Sequence, residues 1–265
     1  MGVFDKLSGE IDHLIDSLIS HPIIGTEAAG LTQYTFWMAI AIVVLFLFVF
    51  GAIKRQQLVP RGRLVNAFEY IFEYVKSEVV EGVIGPDSKR HLPFIMTVFF
   101  FIIINNLVGM IPGAKPGTGT IGVTLALALV SFIYFLYFGI KKHGFVGYFK
   151  TFIPKGVAFP INIMVWIIEV FSTAIRLVTL AVRLFANLFA GHVVLGVFAI
   201  LTSLFIGQAI EQLSLINVAG AFSSVLWMAL MIILYLVEFV VATIQAYVFT
   251  VLSAVYIQIA ISDEH

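Results

Sequence analysis

Long apolar runs separated by short polar turns make up the chain from Phe36 onward. The first, over residues 36–53, is long enough to cross about 30 Å of hydrocarbon as a helix. Lys54, Arg55, Arg61 and Arg63 follow it. At Leu64 the pattern changes. Leu64, Phe68, Ile71, Val75 and Val79 recur at helical spacing, with Glu69, Glu73, Lys76 and Glu81 on the other side. This predicts an amphipathic helix over residues 63–81 lying in the inner membrane interface; a solvated partner-binding helix is the alternative. Two more spans are predicted over 92–111 and 121–140. Pro112, Gly113, Pro116, Gly117 and Gly119 turn the chain between them, and Lys141, Lys142, Lys150 and Lys155 follow the second.

Two longer apolar segments remain, over 160–205 and 214–261, with GQAIEQ between them as the expected outer loop. Each would measure about 70 Å as one helix, more than twice the thickness of the hydrocarbon layer. Each must either break into two spans or lie steeply oblique. No proline or basic loop interrupts either segment, so oblique helices bent at Gly191, Gly196 and Gly220 are expected. The pattern predicts an all-α integral membrane protein with five spans and one interfacial helix, the last two spans long, tilted and antiparallel. Residues 1–35 form an extracytoplasmic N-terminal segment and 36–265 a single membrane domain. Basic residues cluster after the first and third spans, which puts the N-terminus outside and His265 inside.

Composition agrees and excludes other classes. The chain is 61% hydrophobic and 11% charged, against about 25% charge in soluble domains. Its formal net charge of zero implies no nucleic-acid partner. There is no cysteine, hence no disulfide or thiol chemistry. The polar, acidic start lacks the apolar core of a secretory signal. Neither GxxxxGK[ST] nor GxGxxG occurs, so no bound nucleotide is expected, and the six scattered histidines suggest neither metal nor other cofactor.

Against this background the stretch Glu169 to His192, EVFSTAIRLVTLAVRLFANLFAGH, stands apart. An arginine at bilayer depth costs about 2.5–3.5 kcal/mol on insertion scales, and here there are two. At about 100° per residue, Glu169, Ser172, Arg176, Thr179, Arg183 and Asn187 share one face, while His192 emerges on the opposite one. On the last helix Glu238, Gln245 and Tyr256 fall within about 20° of one direction. Two antiparallel helices could therefore line an interrupted polar path. Asn105 and Asn106 read either as hydrogen-bond links between helices or as channel groups.

The string RLFANLFAGH, with Arg183, Leu184, Phe185, Asn187, Ala190, Gly191 and His192, resembles subunit a of the F-type ATP synthase. EFVVATIQAYVF, with Glu238, Thr243, Gln245, Ala246 and Phe249, is similar to that family's last helix, and NNLVGMIPG to its third. The resemblance implies a stator subunit with no catalysis of its own, working against a ring of c subunits. Its other implied partners are a b-subunit peripheral stalk, the remaining synthase subunits and the lipid bilayer. Arg183 becomes the gate between two offset half-channels, meeting the ring carboxylates, with Asn187 and Gln245 holding it in place. His192 and Glu238 become a proton-relaying pair in the outer half-channel. Glu169, Arg176 and Tyr256 belong to the inner one, Arg176 either lining that path or reaching the headgroups. Leu177 stands where many members carry proline. The implied location is a bacterial inner membrane, with the mitochondrial one as alternative. A static ion pair of Arg183 with Glu169 or Glu238, and a secondary ion-coupled transporter, are the competing readings.

Overall fold

In the computed structural model of the chain, residues 3–18, 22–24, 31–54, 62–111, 113–151, 161–211 and 215–262 are described. Arg55, Arg61, Pro112, Lys155 and His265, which entered the topology argument, lie outside them. Five of the described helices are long and apolar enough to cross a membrane. In chain order the helices are α1 (Val3–Leu18), α2 (Gln33–Lys54), α3 (Arg63–Tyr74), α4 (Ser88–Gly109), α5 (Ile121–His143), α6 (Phe145–Thr151), α7 (Ile161–Glu211) and α8 (Leu215–Ile261). One short antiparallel pairing, β1 (Pro22–Ile24) with β2 (Leu31–Thr32), precedes α2 and leaves the all-α class unchanged.

The last two helices form the spine. α7 is a single helix of 51 residues and α8 one of 47, about 76 and 70 Å long, so neither crosses a bilayer without strong tilt. No break interrupts α7 at Gly191 or Gly196, or α8 at Gly220, which removes the split-span alternative and the broken helices expected of a midplane transporter site. The expected outer loop is shorter than GQAIEQ, because α7 continues through Glu211. α7 and α8 run antiparallel: Arg176 lies opposite Tyr256, Gly191 opposite Glu238, and Phe198 opposite Trp227. Their seam is built from small and branched side chains, with Ala181, Leu184 and Leu188 buried on α7 and Ala242, Ala246 and Phe249 on α8. Small residues let the two backbones approach closely, which is how helices associate in lipid without a hydrophobic driving force.

α4 and α5 pack across this hairpin and tie to it through buried polar groups. Asn106 donates its amide to the Ala242 carbonyl at 3.0 Å and accepts from Thr118 at 2.9 Å; Ser131 donates to Ser253 at 2.9 Å. Asn106 is thus a structural link. Lys142 at the end of α5 donates to the Ile261 carbonyl, neutralising the negative end of α8.

The amphipathic stretch runs further than residue 81. α3 passes directly into a π-helical segment, Val75–Ile84, and the chain turns at Gly85, where φ is 76°, before α4 starts at Ser88 rather than at 92. The wider turn sets Val75, Val79, Val80 and Ile84 at intervals of four to five residues on one buried stripe against α4 and α8. α1, which the sequence pattern did not delineate, lies against α7, with Leu14 over Gly196.

Candidate ion-translocation site

Arg183 sits on the exposed face of α7, among Val182, Ala186 and Ala190. Among the described residues it forms no ion pair or hydrogen bond, because the seam with α8 takes up the opposite face through Ala181, Leu184 and Leu188. The static ion-pair reading therefore fails for both acids: Glu169 is paired elsewhere, and Glu238 is buried inside the seam.

Toward the start of α7, Glu169, Arg176 and Tyr256 come together. The Arg176 guanidinium donates to Glu169 Oε1 at 3.2 Å and lies 5.5 Å from the centre of the Tyr256 ring. The pair is about one-third exposed, so its Coulomb energy is screened and serves more to orient the groups than to stabilise the fold. Thr173, on the same turn, is buried and bonds back to the Glu169 carbonyl at 2.9 Å.

Beyond Arg183, about 13–14 Å further along the axis, His192 and Glu238 line one cavity of about 510 Å³ between α7, α8 and the end of α4. They share the cavity without a hydrogen bond between them. His192 instead directs Nδ1 to the Leu188 carbonyl at 2.9 Å and Nε2 to the Gly109 carbonyl at 3.1 Å. The second acceptor is free because Gly109 ends α4, and the last carbonyls of a helix have no partner within it. Glu238 is 8% exposed and lies directly over Gly191, where a Cβ would overlap its carboxylate; its Oε1 has no hydrogen-bond partner among the described residues. Tyr235, one turn before Glu238, donates its hydroxyl to the Met110 carbonyl. The two residues expected to relay protons thus border one cavity with no direct hydrogen bond between them.

Asn187 and Gln245 do not hold the guanidinium. The register of the hairpin puts Gln245 level with Arg183, but Gln245 is buried in the seam while Arg183 points out of it. Asn187 Nδ2 and Gln245 Nε2 are buried donors without a hydrogen-bond partner among the described residues. Gly109, Gly191 and Tyr235 escaped sequence reasoning. Tyr235 carried a signal, lying one turn from Glu238; a backbone carbonyl such as that of Gly109 carries none.

The family model described as ATP synthase A chain matches residues 34–258. The chain belongs to that family. Relatives named ATP synthase subunit a cover almost its whole length. That of Rhodopseudomonas palustris strain BisB18 is 36% identical over 91% of this chain and 93% of its own. Those of Nitrobacter hamburgensis and Bradyrhizobium diazoefficiens are 35% and 36% identical, each over 95% of this chain and 96% of their own. As a member of the ATP synthase A chain family it is a multi-pass membrane protein and a non-catalytic subunit of the proton-translocating ATP synthase.

Proposed function

We propose that this chain is the stator half of a rotary proton path in a bacterial inner membrane, with Arg183 as an electrostatic gate between two offset half-channels that face a ring of c subunits. The observation that carries this reading is the position of Arg183: exposed, unpaired among the described residues, flanked by Ala186 and Ala190, and lying between two polar clusters, one on each side of it along α7. A guanidinium stays protonated at any ordinary pH, so it cannot relay protons, but it attracts a carboxylate brought to it and releases it when the carboxylate is reprotonated. The small neighbours leave room for another helix to approach closely.

The cavity between His192 and Glu238 serves as the outer half-channel, and the Glu169, Arg176 and Tyr256 cluster lines the inner one. A carboxylate and an imidazole bordering one space can exchange a proton through water. The b-subunit stalk completes the proposed partners. The reading is tested by ATP-driven proton pumping in membranes whose complex carries Arg183→Ala: pumping is expected to vanish while the complex stays assembled. Arg183→Lys should fail as well, because a compact ammonium lacks the planar fork. Normal pumping by Arg183→Ala membranes would reject the gate.

A further inference from the structure

The cavity at the His192 end has a chemistry of its own. Most of its wall is hydrocarbon, supplied by Met110, Leu195, Ala199, Met231, Ile232 and Leu236. Its polar groups are few: His192 sets its ring nitrogens 2.9 and 3.1 Å from two carbonyls, and the Tyr235 hydroxyl donates to the Met110 carbonyl. One remains. Oε1 of Glu238, on a side chain 8% exposed, has no hydrogen-bond partner among the described residues, and Glu238 borders the cavity.

We infer that this cavity binds lipophilic amines, with the ammonium paired to Glu238 and the hydrocarbon body lying among Leu195, Ala199, Met231 and Leu236. A volume of about 510 Å³ lies within the range of small-molecule sites, about 300–1,000 Å³. Water satisfies the carboxylate end but gains little along the apolar wall, since apolar cavities tend to stay dry. An anionic amphiphile meets the acid with like charge. A neutral alcohol of the same length can donate one hydrogen bond but supplies no charge to balance the carboxylate, whereas an amine does both. Ala199, Ile232 and Leu236 are exposed on the outer sides of α7 and α8, so a ligand already dissolved in the bilayer reaches the cavity from the lipid. That occupancy also stops proton flow rests on the reading of Glu238 as a path residue; binding does not.

The experiment uses membranes holding the assembled complex and a dodecylamine that carries a diazirine in its chain, with adducts on this protein mapped by mass spectrometry after irradiation. Adducts are expected around Leu195, Met231 and Leu236, reduced at least tenfold by excess dodecylamine and little by dodecanol. Glu238→Gln should lower labelling to a similar degree. Ala199→Phe, which fills the cavity without touching the acid, should do so too, and it decides the matter if Glu238→Gln fails to assemble. Equal competition by dodecanol, or labelling that survives Ala199→Phe, overturns the inference. Proton pumping followed in the same samples separates the two ideas: full labelling with pumping intact keeps the site and rejects the role of Glu238 in the path.

Discussion

Arg183 and Arg176 stand two turns apart on one helix, and their surroundings differ. Arg176 is held by Glu169 and the Tyr256 ring, whereas Arg183 has no such restraint among the described residues. If Tyr256 acts through its aromatic face, Tyr256→Phe should leave the pumping rate within about twofold of wild type and Tyr256→Leu should lower it several-fold, since a cation over an aromatic ring contributes about 0.5–2 kcal/mol. At Gly191 sterics give a sharper test. A methyl group there would overlap the Glu238 carboxylate, so Gly191→Ala should displace that acid and reduce pumping at least tenfold; Gly207→Ala, with nothing within 4 Å of the added carbon, should pump normally. His192 alters the expectation for an exchange of the pair. Its ring nitrogens lie 2.9 and 3.1 Å from two carbonyls, to which a protonated nitrogen can donate, whereas an ionised carboxylate in their place would only face other acceptors. The double variant His192→Glu with Glu238→His should therefore recover only part of the pumping lost in each single variant; full recovery, measured as initial rate, would mean that the carbonyl contacts do not matter. Helical periodicity made the grouping of Glu169 with Arg176 legible, because seven residues return to the same face. It could not reveal the cavity, which depends on how α4 ends against α7.

Among the elements, length and apolar continuity identified α2, α4, α5, α7 and α8, and the lack of proline in the last two correctly implied unbroken helices. The amphipathic stripe from Leu64 was readable, but its continuation to Ile84 was not, because burial spaced by four and five residues does not match a 3.6-residue period. The polar residues of α4 were visible as costly without disclosing their partners. Asn106 bridges Thr118 and the Ala242 carbonyl while 0% exposed, so Asn106→Leu strands the Thr118 hydroxyl at about 1–3 kcal/mol, while the Ala242 carbonyl keeps its partner within α8. The purified complex should show this as release of this chain at a lower temperature in detergent. An unchanged release temperature would mean that the link is dispensable.

Across the whole molecule, the antiparallel α7 and α8 hairpin presents Arg183 on one face and carries a polar cluster on each side of it along the helix axis. Which end faces which compartment follows from the basic residues after α2 and α5, and tags placed after His143 and at the C-terminus should be reachable from the cytoplasm, one beside Glu211 from outside. A gate at Arg183 has to keep the two half-channels separate. Two half-channels meeting without a gate would conduct protons whether or not the ring turned, so Arg183 must hold a gradient as well as permit rotation. The direct measurement is the decay of an imposed pH difference across vesicles that contain the full complex with its catalytic sector attached and no nucleotide present, conditions under which the ring is held still. Wild-type vesicles should keep the gradient, and Arg183→Ala vesicles should lose it at least tenfold faster while failing to pump. A gradient that decays equally slowly in both would contradict the account.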